Sequence, residues 1–183
     1  LELPPSPLHL AFDDVSFSYN GTDAVLNGLS FDLKAGSVLG LLGRTGSGKT
    51  TLGRLIFRLY DVRTGSIKLD HVDLRQARLD SIRSRIAIVT QDVQLFRASI
   101  RDNLTFFDRS ITDETILAAL EELELGDWLR NQPEGLDTQL ETGSRSLSAG
   151  EAQLLAFTRV FLRNPGLVIL DEASSRLDPA TEQ

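Results

Sequence analysis

The sequence predicts an α/β protein with an antiparallel β region near its start and a helical insertion in its second half. Two apolar runs, Val38–Leu42 and Leu167–Leu170, have the length of buried strands. The first run leads into a glycine-rich loop and then a helical pattern, whereas the residues from about Phe96 to Gly143 are helical and polar. The 183 residues can form one domain with a sizeable core.

The predicted β region covers residues 9–36. Leu10–Tyr19 alternates between apolar and polar residues, as a half-buried strand does, and Asn20-Gly21 marks a tight turn into Ala24–Leu33. Val38–Leu42 follows as a buried strand. One face of the next helix is predicted by apolar residues at helical spacing, namely Leu52, Leu55, Ile56 and Leu59.

Two further short strands are predicted at Ile67–Leu69 and Ile86–Val89. Thr112 can then cap a helix whose first turn contains Asp113 and Glu114, which complement the positive end of the helix dipole. The apolar stripe of this helix consists of Ile116, Leu117, Leu120 and Leu123.

The last predicted helix runs from Ala149 to about Arg163 and is ended by Asn164-Pro165-Gly166. Leu167–Leu170 is typical of a central parallel strand and leads directly into Asp171-Glu172. Ligands of open α/β sheets bind at the carboxyl ends of strands, so Asp171 is a candidate Mg²⁺ ligand and Glu172 a candidate general base for an attacking water. The alternative is a solvated strand end or a helix cap.

The composition is that of an ordinary globular protein, with 41% apolar and 25% charged residues. The formal net charge of −7 disfavours a nucleic-acid surface, which normally needs a basic stripe. The sequence contains no cysteine, which excludes disulfides and thiolate zinc sites, and no apolar run approaches the roughly 18 residues of a membrane span. The proline-rich residues 1–8 are predicted to be a linker, and the absence of methionine leads us to expect a piece of a longer protein.

The residues Gly43-Arg44-Thr45-Gly46-Ser47-Gly48-Lys49-Thr50 match the phosphate-loop pattern G-x-x-x-x-G-K-[ST] in full. Glycines let the backbone curl so that successive N–H groups face phosphate oxygens, and the following helix adds its positive end. Lys49 is expected to reach the β- and γ-phosphates, and the Thr50 hydroxyl to bind Mg²⁺. A glycine-rich turn with an incidental lysine is the alternative, but the predicted strand and helix on either side favour a nucleoside triphosphate site.

The residues Leu147-Ser148-Ala149-Gly150-Glu151, just ahead of Asp171-Glu172, resemble the Leu-Ser-Gly-Gly-Gln signature of the ATP-binding cassette (ABC) family. Ser148-x-x-Glu151 is also a helix capping box. The resemblance covers the chain beyond the linker. It implies a P-loop NTPase (RecA-like) core over residues 37–93 and 151–183, an antiparallel β subdomain over 9–36 and an α-helical subdomain over 94–150. Asp92–Asn103 and Phe12–Tyr19 resemble exporter-type domains.

The resemblance also implies roles for single residues. Tyr19 stands where the family stacks an aromatic ring on adenine, and Thr51 is grouped with the nucleotide-binding residues of the loop. Gln91 matches the glutamine that contacts Mg²⁺ and water. Ser148 and Gly150 would face the γ-phosphate of an ATP molecule held by a second domain of the same kind.

What the resemblance implies as a whole is an ATPase that binds ATP and Mg²⁺ and drives an exporter-like transporter at the cytoplasmic face of the cell membrane. Its partners would be a second nucleotide-binding domain and a transmembrane domain. Family members contact the transmembrane domain near Phe96, and no nucleic-acid partner is expected. One alternative is a regulatory or assembly module that uses ATP as a clamp without hydrolysis, which Glu172 disfavours. The other is a soluble ABC ATPase acting on DNA or ribosomes, which the acidic charge disfavours.

Three features depart from the family pattern. Glu151 replaces the usual glutamine, and its negative charge near a γ-phosphate is predicted to weaken ATP-driven pairing. Glu141-Thr142-Gly143-Ser144 differs from the Gly-Glu-x-Gly of exporters. The sequence stops at Gln183 before the family's switch histidine, and neither His9 nor His71 can replace it, so we expect slow hydrolysis by this stretch alone.

Overall fold

The computed structural model of the chain describes residues 1–3, 7–90, 93–141 and 147–171. These residues divide into two compact units, the first formed by Leu1–Ala87 with Pro165–Ile169 and the second by residues 88–164 with 170–171. Within the described ranges, no helix is long and apolar enough to cross a membrane. Leu3 and Leu8 belong to the predicted linker, and both are buried in the core of the first unit.

A four-stranded antiparallel sheet forms the framework of the first unit, with the strand order β2-β1-β3-β4. The strands are β1 (Leu10–Phe17), β2 (Leu26–Leu33), β3 (Thr64–Leu69) and β4 (Val72–Asp73). The antiparallel pairing expected for residues 9–36 is confirmed by the β1–β2 pair. The strand predicted at Ile67–Leu69 belongs to the same sheet, on the other side of β1.

The middle of β1 contains a β-bulge that depends on a glycine in β3. The register between the two strands shifts between Asp13 and Ser16, and Asp14 has a φ of 49°. A Cβ on Gly65 would lie 2.3 Å from the backbone oxygens of both Asp13 and Asp14, and Gly65 has a φ of +77°. Only glycine therefore allows β3 to approach β1 this closely.

The prediction of a buried strand at Val38–Leu42 is wrong. Residues 37–44 form no strand, and Val38 and Leu42 are 98% and 99% exposed. A β-strand needs a neighbouring strand to pair with its backbone, and no strand in the described part of the chain pairs with this segment. The apolar run alone was therefore not sufficient to fix its structure.

The first unit also contains two helices, α1 (Lys49–Ile56) and α2 (Leu79–Arg85). The predicted apolar face of α1 is confirmed for Leu52, Leu55 and Ile56, which are buried in one core with the apolar residues of β1 and β3. Leu59 is 55% exposed, because the helix ends at Ile56 and Leu59 no longer lies on its inner face. The core thus anchors α1, and with it the loop that precedes the helix.

The described part of the second unit contains four α-helices: α3 (Ile100–Thr105), α4 (Asp113–Glu122), α5 (Gly126–Arg130) and α6 (Ala149–Arg163). The predicted cap of α4 is confirmed, because the Thr112 side chain accepts a hydrogen bond from the Thr115 N–H. The buried stripe of α4 is narrower than predicted, since Leu117 is exposed whereas Ile116 and Leu120 are fully buried.

Helix α6 has the bounds that the sequence predicted. Asn164, directly after it, has a left-handed conformation with a φ of 42°, which asparagine tolerates better than most residues. The strands β5 (Ile86–Thr90) and β6 (Leu167–Asp171) form a second sheet. Both strands were predicted; among the described strands β6 pairs only with β5, and Leu170 is 59% exposed, so these residues do not show the central position expected for this strand.

Candidate functional site

The phosphate-loop residues form a curled turn ahead of α1. Gly46 and Gly48 have φ values of 83° and 96°, and the Ser47 N–H donates to the Arg44 carbonyl at 3.1 Å. A Cβ on Gly43 would lie 2.6 Å from the Ser47 Oγ. The left-handed φ values of Gly46 and Gly48 require glycine at these two positions, whereas the close contact at Gly43 is with the end of a serine side chain. Residues 43–47 are all exposed, so their backbone can contact a ligand.

Lys49 lies across this loop at the start of α1. Its Nζ donates to the Gly43 carbonyl at 2.7 Å and to the Arg44 carbonyl at 3.2 Å. The first turn of α1 contains no acidic residue, and no side chain caps its N-terminus. The positive end of the helix dipole and the ammonium group therefore point to the same ligand chemistry, which is an anion.

These residues fit a nucleotide polyphosphate with its Mg²⁺. The loop N–H groups, Lys49 and the helix end supply positive charge, and the exposed Thr50 supplies a hydroxyl oxygen, the ligand type that Mg²⁺ prefers. No group of three or more His, Cys, Asp or Glu residues could hold a metal ion within the described ranges. Mg²⁺ is usually held by one or two carboxylates together with substrate phosphates and water, so Thr50 would be one ligand of an ion that the phosphates also bind.

Tyr19, the predicted adenine-stacking residue, lies beside the start of α1. Its hydroxyl is 3.1 Å from the Thr51 Oγ1 and accepts a hydrogen bond from the Arg54 Nη1 at 3.2 Å. Burial raises the pKa of the Tyr19 hydroxyl, but these hydrogen bonds and the charge of Arg54 outweigh burial, so the net pKa is lowered. The side chain is 44% exposed, which leaves ring surface for a planar ligand.

Thr51 differs from Thr50 in its surroundings. The Thr51 side chain is buried and its hydroxyl is bonded to Tyr19, whereas Thr50 is exposed. Thr51 therefore connects the phosphate loop with the aromatic ring, and Thr50 has the more accessible hydroxyl.

The acidic end of β6 is described only in part. Asp171 is the last residue of the strand and is partly exposed, as expected for a carboxylate at a strand end. Gln91 and Glu172, the predicted water-activating residues, lie outside the described residues, as do Thr142–Ser144 and Ser175–Asp178. Their roles remain predictions.

The predicted capping box at the start of α6 is confirmed. The Ser148 Oγ accepts from the Glu151 N–H at 3.2 Å, and a Glu151 carboxylate oxygen accepts from the Ser148 N–H at 2.6 Å. The Ser148 hydroxyl keeps its own proton for a further acceptor. Gly150 lies in the first turn and is partly exposed. This helix end can receive an anion, but the Glu151 carboxylate already offsets part of its positive charge.

A buried cation that the sequence reasoning did not identify lies in the second unit. Arg159 donates from Nε to the Asn103 carbonyl at 2.8 Å, from Nη1 to the Gln94 carbonyl at 2.8 Å, and from Nη2 to the Asn103 Oδ1 at 3.1 Å. The Asn103 amide in turn bonds the backbone N–H and carbonyl of Phe96. Burial lowers the pKa of Arg159 to about 10, so the guanidinium stays charged at neutral pH. This network joins α6 to the segment 94–99.

Phe96, near which the family contacts a transmembrane domain, is 42% exposed and packs against other aromatic rings rather than in a core. Its ring lies edge-on to Phe106 and Phe107, with centroid distances of 5.9 and 5.8 Å. The guanidinium carbons of Arg159 and Arg163 lie 4.9 and 4.8 Å from the Phe106 centroid. The second unit therefore has an exposed aromatic cluster, Phe96, Phe106 and Phe107, supported by two cations.

Comparison with known proteins gives one consistent family. The family model described as ABC transporter matches residues 26–175. The ATP-dependent lipid A-core flippase of Shewanella denitrificans is 42% identical over 96% of this chain and 30% of that protein. The human mitochondrial iron-sulfur clusters transporter ABCB7 is 37% identical over 100% of this chain and 24% of that protein. The chain thus spans less than a third of the length of these curated relatives.

The solved structures include one described as a bacterial Atm1-family ABC exporter with ATP bound. It matches 100% of this chain and 32% of its own chain, with a TM-score of 0.91 and 35% sequence identity. The predicted α/β fold of a P-loop NTPase with its antiparallel and helical subdomains is therefore confirmed at the level of the fold. The phosphate loop, the fold and the family match agree, and the chain belongs to the ABC transporter family, with exporter ATP-binding proteins among its relatives.

Proposed function

We propose that this chain binds Mg-ATP and hydrolyses it as one of two paired nucleotide-binding domains, and that the longer protein uses this cycle to export a substrate across a membrane. The observation that carries the proposal is the curled loop with Lys49 lying across it at the uncapped start of α1. The relatives named as transporters, and the similar exporter with ATP bound, support ATP as the ligand.

In this proposal, different residues bind different parts of the nucleotide. Lys49 and the backbone N–H groups of residues 43–48 bind the phosphates, and Tyr19 stacks on the adenine. Thr50 and Asp171 supply oxygen ligands to Mg²⁺, which would offset phosphate charge as the terminal phosphate is transferred to water. Gln91 and Glu172 orient and deprotonate that water.

The second unit provides the proposed contacts with partners. Ser148 and Gly150, at the start of α6, bind the ATP of the paired domain, and the helix dipole favours the γ-phosphate there. The exposed aromatic cluster faces the transmembrane domain of the longer protein, at the cytoplasmic side of the membrane. An exposed apolar group of this kind is typical of a protein–protein contact.

Isothermal titration of this chain with Mg-ATP tests the first part of the proposal. Lys49→Ala should weaken binding at least about tenfold, because it removes the charge that contacts the β- and γ-phosphates. Lys34→Ala is the matched control, since Lys34 is an exposed lysine of the same unit outside the loop and should not change affinity. Equal affinities for the two variants would contradict the proposed site.

Glu172→Gln in the full-length protein separates a transport ATPase from an ATP-dependent clamp. In membrane vesicles, an ATPase should retain bound ATP and lose substrate transport, because the general base is absent. A protein that uses ATP only as a clamp should keep its activity unchanged, and this result would favour the regulatory alternative.

A further inference from the structure

The tip of the Tyr19 side chain is held by the helix that begins at the phosphate loop. Its hydroxyl is 3.1 Å from the Thr51 Oγ1 and 3.2 Å from the donating Arg54 Nη1. Both partners lie on α1, which starts at Lys49. The guanidinium carbon of Arg54 is 5.9 Å from the ring centroid, near the outer limit of about 6 Å for a cation–π contact, so the hydrogen bond is the stronger link.

The body of the Tyr19 ring is held by two other aromatic rings. Phe17 and Tyr60 both contact it edge-on, with centroid distances of 4.9 and 5.1 Å and interplanar angles of 85°. Such perpendicular contacts restrict rotation of the ring. The ring is therefore fixed at its sides by aromatic packing and at its tip by α1, while it remains 44% exposed.

We infer that Arg54 is a positioning residue for the nucleotide base, which sets the orientation of the Tyr19 ring relative to α1 without contacting the phosphates. This inference rests on the proposed ATP site and adds a residue that the phosphate-loop pattern does not contain. Binding to a ring that is already oriented costs less conformational entropy than binding to a mobile one. Loss of Arg54 should therefore lower the affinity for a ligand that carries a base and leave the affinity for a bare polyphosphate unchanged.

The test compares Mg-ATP with Mg-tripolyphosphate by isothermal titration on this chain. Arg54→Gln should lower the affinity for Mg-ATP about threefold to tenfold and leave the affinity for Mg-tripolyphosphate unchanged, because only ATP contacts the ring. Tyr19→Phe, which keeps the ring but removes the hydroxyl and its contacts with both Arg54 and Thr51, should weaken Mg-ATP binding at least as much. The double variant should bind Mg-ATP no more weakly than Tyr19→Phe alone, because Tyr19→Phe already removes the hydroxyl that Arg54 contacts. Arg83→Gln, at an exposed arginine of α2, is the matched control.

Four outcomes would overturn the inference. Unchanged Mg-ATP affinity in Arg54→Gln would show that the ring does not need this arginine. Equal losses for Mg-ATP and Mg-tripolyphosphate would show that Arg54 acts on the phosphates directly, and additive losses in the double variant would show that Arg54 does not act through the Tyr19 hydroxyl. Failure of the unsubstituted chain to bind Mg-ATP would overturn the proposed function, and this inference with it.

Discussion

Replacing Arg159 with methionine tests how much the buried guanidinium stabilises the second unit. The side chain donates three hydrogen bonds, to the Gln94 carbonyl and to two oxygens of Asn103. Methionine occupies a similar volume but donates none of them, so each of the three acceptors loses one hydrogen bond. At about 1 kcal/mol for each bond, the free energy of unfolding should fall by about 3 kcal/mol. Arg159→Lys should lower the free energy of unfolding by about 2 kcal/mol, since one ammonium group can make only some of these three hydrogen bonds.

Urea unfolding followed by tryptophan fluorescence measures this change. Trp128 is the only tryptophan of the chain and packs against the core of the second unit. Arg163→Met is the matched control, because Arg163 is exposed on the same helix and its described contact is with the Phe106 ring, worth about 0.5 to 1 kcal/mol. A loss for Arg159→Met that is no larger than the loss for Arg163→Met would refute the reasoning.

Three further predictions concern other parts of the chain. Glu151→Gln should change the free energy of unfolding by less than about 0.5 kcal/mol, because an amide oxygen can accept the same capping hydrogen bond. It should raise the fraction of dimer that analytical ultracentrifugation detects in Mg-ATP, because it removes a negative charge near the γ-phosphate, and equal dimer fractions for the two proteins would refute this charge argument. Gly65→Ala should lower the free energy of unfolding by about 3 kcal/mol or more, because the alanine Cβ would lie 2.3 Å from two backbone oxygens of β1. A melting temperature within about 2 °C of that of the original chain would contradict this. The hydrogen bond from Arg75 lowers the pKa of Asp73 below its unfolded value, so the stability it contributes is present above the unfolded pKa and is lost as pH falls through the folded one. Asp73→Asn should therefore reduce the loss of stability that occurs as pH falls below the unfolded pKa of an aspartate. Identical profiles of the free energy of unfolding against pH, measured with urea, would exclude this contribution.

Elements with local end signals could be predicted from the sequence. Ser148 and Glu151 define the start of α6 by hydrogen bonds within four residues, and Asn164 defines its end. The same is true of the phosphate loop, in which Gly46 and Gly48 are required by the left-handed φ values of the turn itself. In such places the sequence pattern and the stabilising contact involve the same few residues, so no distant partner is needed.

Features that depend on distant residues could not be predicted. The segment Val38–Leu42 has a strand-like sequence, but strand formation depends on a neighbour that its own residues do not specify. Arg159 and Asn103 are 56 residues apart, and nothing in either sequence position indicates that one bonds the other. Tyr19 was assigned by resemblance to a nucleotide contact, whereas its bonds to α1 become visible only when the fold brings residues 32 and 35 positions away beside it.

The central position of β1 has a consequence for folding kinetics. Its pairing with β2 joins Phe17 to Leu26 through a short connection, whereas its pairing with β3 joins Leu10 to Leu69 across a much longer stretch that includes the whole phosphate loop. Closing a longer loop costs more chain entropy, so the β1–β2 hairpin should form first and β3 should join later. A refolding chain would then acquire nucleotide affinity only in its slower phase.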